Sequence, residues 1–424
     1  MKQQIFLLIF IMIMAIAAPG ICLEEARFPR PEFTGDYQTP VEKEPGEPSL
    51  RNPYLALLLL LVALIFSAHS LLLKRSRSRI QITGLLCLAW FGYVFKGCVC
   101  SIGSIQNIFA AIFVKGFPLA LHLVAVFFLP LIFALFFGRI FCGSACPFGV
   151  LQDLVIFKPQ KVPRILDRCL RLIPFAFLGL AIWFAASGMG FLICQYDPFV
   201  GIFRGDGPAA MLVAGAILLL LGTVIARPYC RYLCPYSVLL SATSLITWKR
   251  VQVYKETCVN CSLCTASCPV DAIIPGNDPS SPNAYAETHE QATGRLKWLV
   301  ALSPALIALG MFTGLQLGEA VADMHDLVIL QKDVMAQKND ADNVEAFFVN
   351  DGNVERLNRN AKETFAAIKK QGGIFGAYMS LVVIGSIFMA TRRKINRFHR
   401  VEPWNCVSCG RCYNWCPQNL EKKK

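Results

Sequence analysis

The chain has 424 residues and a net charge of +13, with an apolar share of 55% against 16% charged residues. That balance is foreign to an ordinary soluble domain, where about a quarter of residues are charged, and several apolar runs reach the roughly 17–25 residues that a bilayer crossing needs. The basic residues form short blocks beside the apolar runs and not one stripe with interleaved aromatics, which argues against nucleic acid as a partner and for loop charges that orient membrane helices.

MKQQ followed by IFLLIFIMIMAIAA combines one positive charge, a short apolar core and small residues at Ala15 and Ala17. It reads as a signal peptide or anchor over 1–22. Lipid attachment at Cys22 is disfavoured by the bulky Ile21 before it. Residues 23–50 are polar and proline-rich, and form an expected extracytoplasmic segment. A membrane domain follows over 51–250, with spans predicted near 54–73, 80–95, 117–137, 172–192 and 209–226. Two further spans, near 298–316 and 374–391, make a helical hairpin over 298–391. Its outer loop, 317–373, is rich in Asp and Glu and reads as two amphipathic helices in a cap.

Lys/Arg blocks at 74–79, Lys158–Arg171, 248–250 with Lys255, and 392–400 all fall on one side if the N-terminus is outside. That side is the cytoplasm, which makes this a multi-pass protein of the inner (cytoplasmic) membrane.

Eighteen cysteines are the second anomaly. CVNCSLCTASCP starts at Cys258 and CVSCGRCYNWCP at Cys406, both C-x2-C-x2-C-x3-C-P. Each run offers three close thiolates and a fourth set apart, and in two-cluster ferredoxins that fourth cysteine ligates the other cluster. Cys258, Cys261, Cys264 and Cys416 are therefore expected to hold one [4Fe–4S] cluster, and Cys406, Cys409, Cys412 and Cys268 the other. Zinc sites favour two separate C-x2-C pairs, and disulfides need an oxidising compartment, so both fit less well. Two spans separate the runs, which returns the chain to its starting side. The halves 251–297 and 392–424 can thus build one ferredoxin domain on the membrane face.

GRIFCGSACPFGVLQDL (138–154) and ARPYCRYLCPYSVLLSA (226–242) share Arg-x2-Cys-x3-Cys-Pro-aromatic, each directly after a predicted span. Cys142, Cys146, Cys230 and Cys234 could converge as four thiolates for a further iron–sulfur centre. The plainer reading is two structural pairs that stay reduced. At the opposite face, Cys100-x2-Gly103-x2-Gln106-Asn107 echoes Cys146-x2-Gly149-x2-Gln152-Asp153, and DPF at 197–199 resembles CPF at 146–148. Cys98, Cys100 and Cys194, with Asp197 or another donor, could form an outer redox centre. A disulfide involving Cys194 is the alternative.

The paired C-x3-C-P elements and the two ferredoxin runs resemble the polyferredoxin membrane proteins typified by NosR and NapH, over roughly residues 80–420. The resemblance implies [4Fe–4S] clusters on the ferredoxin cysteines and makes Cys142, Cys146, Cys230 and Cys234 characteristic positions. The flavin domain that precedes the spans in NosR-type proteins has no counterpart in residues 23–50.

The expected fold class is mainly α: a polytopic helical membrane protein of about seven spans plus the signal or anchor, with a small α+β dicluster ferredoxin-like cytoplasmic domain. The expected function is electron relay between a cytoplasmic donor or the quinone pool and an extracytoplasmic redox protein or flavoprotein. An iron–sulfur regulator or maturation factor and a redox-driven ion pump subunit are the alternatives, the pump disfavoured by spans nearly free of charge. His69 and His122 lie at opposite ends of their spans and cannot share a haem. Lys96, Lys115, Asp197, Arg204 and Asp206 read as solvated interfacial charge, with a quinol head-group or partner-docking role as the alternative. No acid–base pair or nucleophile triad stands out, so the chain reads as a redox subunit without a substrate-converting site.

Overall fold

The computed structural model describes residues 52–97, 100–114, 116–205, 208–253, 258–275, 289–337, 342–350, 352–391 and 399–418. The expected signal or anchor, the segment 23–50, Cys98, Lys115, Asp206 and residues 392–398 of the last basic block lie outside them.

Apolar composition sets the first long element, Pro53–Leu72. Its start is fixed by proline at the first position and by the Asn52 side chain, which accepts the Tyr54 N–H at 2.9 Å. Among the described residues four helices are long and apolar enough to cross a bilayer: Pro53–Leu72, Ile165–Ser187, Leu296–Ala322 and Val354–Met389. Pro198–Arg204 with Ala209–Val224, bent by 105°, makes a fifth if the pair is one span. The expected seven thus becomes four or five by length and composition. The run predicted at 80–95 is an 11-residue helix, Arg77–Cys87, which continues as a π-helical stretch, Leu88–Val94. The run predicted at 117–137 starts late, at Leu121, because Gly116 and Pro118 hold the chain out of helix before it. Pro130 inside that helix has no N–H, which leaves the Val126 carbonyl without its helical donor; Ser101 Oγ donates to it at 3.1 Å.

Between residues 77 and 245 one plan recurs four times: an apolar helix, a turn bearing cysteine, then a shorter helix. The longer helices are 77–94, Leu121–Phe137, Ile173–Ser187 and Ala209–Val224; the shorter ones are Ser101–Phe113, Pro147–Val155, Pro198–Arg204 and Pro235–Leu245. Units pair alternately, first with third and second with fourth. Ser101–Phe113 packs on Ile173–Ser187 while Pro198–Arg204 packs on the π-helical stretch. Likewise Pro235–Leu245 packs on Leu121–Phe137 and Pro147–Val155 on Ala209–Val224. The second and fourth units also cap each other. Phe157 and Gln160 N–H donate to Thr223 O and Val224 O at 3.2 and 2.8 Å, and Trp248 and Lys249 N–H donate to Leu135 O and Phe136 O at 3.3 and 2.9 Å. Orphan carbonyls at the ends of Ala209–Val224 and Leu121–Phe137 are thereby satisfied.

The hairpin helices His289–Ala322 and Val354–Thr391 outrun their predicted spans and shorten the outer loop, where Asp326–Met335 and Asp342–Asn350 form the two short cap helices. Small residues let the pair approach: a Cβ on Gly314 would lie 2.9 Å from Gly376 Cα, and one on Gly372 2.7 Å from Gly318 Cα. Gly314→Val should therefore cost about 1–3 kcal/mol by overpacking, read as a lower melting temperature in detergent. Gly385→Ala, where a Cβ meets nothing within 4 Å, should not.

Beyond the hairpin the two chain segments meet. Strands Ile273–Ile274 and Arg400–Val401 pair antiparallel, with Ile273 opposite Val401. Glu402 N–H donates to Ala272 O at 2.7 Å, and the His399 ring sits between Asn260 Oδ1 at 3.0 Å and Ser262 Oγ at 3.1 Å.

Candidate functional site

The two C-x2-C-x2-C runs take the same backbone course. Asn260 and Ser408, each two residues past the first cysteine, have φ of 51° and 54°; Ser262 and Gly410, each one past the second, have 58° and 71°. Left-handed residues between ligands turn successive N–H groups toward one centre, a cradle for an anion. Short helices Leu263–Ser267 and Arg411–Trp415 then carry the third cysteines and pack on each other.

Cys258, Cys261, Cys264, Cys412 and Cys416 line one cavity of about 390 Å³. Cys268 is close enough to Cys406 and Cys409, and Cys412 to all three, for their charges to interact. Burial pushes the Cys406 thiol up to about 12 and raises Cys412, Cys268 and Cys264. Such thiols stay protonated at neutral pH until a cation displaces the proton. Ala272 N–H donates to Cys268 Sγ at 3.3 Å.

Cys142, Cys146, Cys230 and Cys234 are all buried, and each lies within electrostatic reach of others of the four. They form no disulfide. Burial pushes the Cys230 thiol up to about 12, against the pull of Arg227. Gln152 Nε2 donates to Cys230 Sγ at 3.2 Å, and Arg139 Nη2 approaches Cys142 Sγ at 3.9 Å. Arg227 donates to Cys142 O at 2.6 Å and grips Asp153 with two nitrogens.

This set abuts the C-terminal run. A Cβ on Gly143 would stand 2.6 Å from Val407 O and 2.9 Å from Ser408 O, between the first two cysteines of that run. Arg139 Nη1 donates to Trp404 O at 2.9 Å, and Trp404 stacks on Phe175 with centroids 6.0 Å apart. A cavity of about 50 Å³ lined by Arg139, Arg171, Arg227, Arg231 and Cys230 lies in the same seam.

Cys100 and Cys194 border Gly103 together, within electrostatic reach of each other and of Asp197. Cys100 is also within reach of Cys146, so the outer and inner cysteines are not set apart by a whole bilayer. The reason is length: Ser101–Phe113 has 13 residues and rises about 20 Å, short of the roughly 30 Å core, so Cys100 at its start lies inside the bundle.

Among the described residues no three His, Cys, Asp or Glu side chains converge as a site for one metal ion. A cluster of several irons spreads its ligands more widely, and the cavity beside Cys258 has the room and sulfur lining to take one.

Residues 119–165 and 207–250 match one 4Fe-4S binding domain family, and 251–274 match another. These segments contain both C-x3-C-P elements and the first ferredoxin run. The chain carries 4Fe-4S binding domain segments and is distantly homologous to polyferredoxin membrane proteins. It is 30% identical over 165 residues to YccM of Escherichia coli, a candidate electron transport protein, covering 34% of this chain and 46% of that one. With the regulatory protein NosR of Pseudomonas aeruginosa it shares 29% over 251 residues, 51% of this chain and 33% of NosR. The methylamine utilization ferredoxin-type protein MauN of Paracoccus denitrificans is 28% identical over 166 residues, 38% of this chain and 58% of MauN. The chain thus spans from 33% to 58% of the length of these relatives. No solved structure matches it.

Sequence reasoning noted Arg139, Arg227, Gln152 and Gln106 only as parts of repeated patterns and gave no role to them, although they set the surroundings of the cysteines. The signal was present, since both arginines belong to the repeated Arg-x2-Cys pattern and both glutamines to the echoed Cys-x5-Gln.

Proposed function

We propose that the chain is an electron carrier of the inner (cytoplasmic) membrane, working between a cytoplasmic donor or the quinone pool and an extracytoplasmic redox protein or flavoprotein. The carrying observation is adjacency: three four-cysteine sets lie in sequence, the Cys142 set against the Cys406 run through Gly143, and Cys412 beside Cys264. A [4Fe–4S] cluster supplies one-electron chemistry with little change of geometry. The chain's own residues hold it, exclude water and set its charge. Burial keeps the four thiols of the Cys142 set dry, while Gln152, Arg139 and the Ala272 N–H point donors at the sulfurs.

Seven crossings remain the topology that puts every Lys/Arg block on one face, with the dicluster ferredoxin domain in the cytoplasm. Of the two short runs, the 17 residues of Leu121–Phe137 fit it by rise, at about 25 Å.

The test is iron and sulfide analysis with EPR on anaerobically purified protein. At least two [4Fe–4S] clusters per chain are expected, plus a further centre that Cys230→Ser removes. Fewer than two contradicts the reading. NosR is named a regulatory protein, which favours a sensor as the second reading. In oriented vesicles a carrier is reduced from one face and reoxidised from the other within turnover time; a sensor is not.

A further inference from the structure

The four-unit plan pairs its turns twice, and the two pairs match in detail. In the inner pair Gln152 Oε1 accepts the Tyr229 N–H at 3.0 Å, and its Nε2 donates to Cys230 Sγ at 3.2 Å. In the outer pair Gln106 stands six residues after Cys100, as Gln152 does after Cys146. Its Oε1 accepts the Ile193 N–H at 2.9 Å. Ile193 precedes Cys194 as Tyr229 precedes Cys230.

The sulfurs follow the same scheme. Gly103 N–H donates to Cys100 Sγ at 3.5 Å, and a Cβ on Gly103 would lie 3.6 Å from Cys194 Sγ. Asp197 precedes Pro198 and Phe199 where Cys234 precedes Pro235 and Tyr236. It is 1% exposed, and it accepts the Phe199 N–H at 3.0 Å and the Tyr229 hydroxyl. Cys98, two residues before Cys100 where Cys142 is four before Cys146, lies outside the described residues.

One bond of the scheme is missing. Gln106 is fully buried, and its Nε2 has no hydrogen-bond partner. A buried amide nitrogen left so is costly, and its inner counterpart donates to a cysteine sulfur.

We infer that the first and third units hold a second buried iron–sulfur centre, with the Cys100 and Cys194 thiolates and the Asp197 carboxylate among its ligands and Gln106 Nε2 donating to the sulfur of Cys194. This rests on reading the Cys142 set as an iron–sulfur site. The carboxylate makes the two centres unequal, because an oxygen donor replaces one of the thiolates that tune a cluster's potential. Tyr229 joins them, with its N–H on Gln152 and its hydroxyl on Asp197.

The test compares full-length protein, purified anaerobically in detergent, by iron and sulfide content and by EPR after dithionite reduction. Cys194→Ser should lose one centre's iron and sulfide and one EPR component, with the ferredoxin signals intact. Asp197→Cys, which restores the inner copy's donor type, should keep the iron and shift that component's g-values. It also serves if Cys194→Ser does not fold. Unchanged iron, sulfide and spectra in both variants would overturn the inference. If Cys230→Ser removes a centre and Cys194→Ser does not, only the outer site fails; if neither does, the reading of the inner set fails with it.

Discussion

Cys416→Ser protein should lose about four iron atoms per chain, one [4Fe–4S] cluster, and the vanished EPR signal should be the one that Cys258→Ser also abolishes. The cavity explains why. Its sulfur lining comes from Cys258, Cys261 and Cys264 on one segment and from Cys412 and Cys416 on another, after the hairpin. Cys268 lies instead within electrostatic reach of Cys406, Cys409 and Cys412. Double variants make the assignment sharp. Cys258→Ser with Cys416→Ser should lose no more iron than either alone, whereas Cys268→Ser with Cys416→Ser should lose about twice as much. If Cys416→Ser instead abolishes the signal shared with Cys406→Ser, each run ligates its own cluster and the shared cavity has another use.

The long helices and the ferredoxin runs were legible in the sequence because their signals are local. Apolar length reports a span, and Cys spacing reports a cradle whose left-handed residues, Asn260, Ser262, Ser408 and Gly410, sit at fixed offsets. What could not be read was where short helices meet. Cys100 looked like a surface residue because it lies between apolar runs, yet it opens a helix too short to cross and so lies inside the bundle. The span at 117–137 lost its first turn to Gly116 and Pro118, which outweigh hydropathy locally. Gly310, Gly314 and Gly318 were visible as a small-x3-small repeat, but only the approach of Gly372 and Gly376 shows that they form a seam. Partners far apart in sequence, such as Gln106 with Ile193 or Arg139 with Trp404, leave no trace in either segment alone.

Arg227→Leu is expected to lower stability by about 3 kcal/mol, the low end of the cost of stranding a covered charge, and to release iron from the Cys142 set. The guanidinium is 1% exposed, and its Nε donates to Asp153 Oδ1 at 2.8 Å while Nη2 pairs with Oδ2 at 2.5 Å. The third nitrogen holds the Cys142 carbonyl at 2.6 Å, which fixes the turn that presents that sulfur. The Asp153 side chain keeps 19% exposure, so water relieves part of the loss. Burial alone would raise its carboxyl, but Arg227 holds it below the ordinary carboxylate value. The pair therefore contributes fully above an unfolded value of about 3.9, and its contribution fades as pH falls through the lower folded value. Thermal unfolding in detergent across that range should show wild type converging on Arg227→Leu at acid pH. Arg227→Lys keeps the charge but not the fork and should fall between them. Adding Asp153→Leu to Arg227→Leu removes the stranded charge and should recover much of the melting temperature without recovering iron, because Cys142 O still lacks its anchor. Recovery of both would mean that Arg227 serves the ion pair alone.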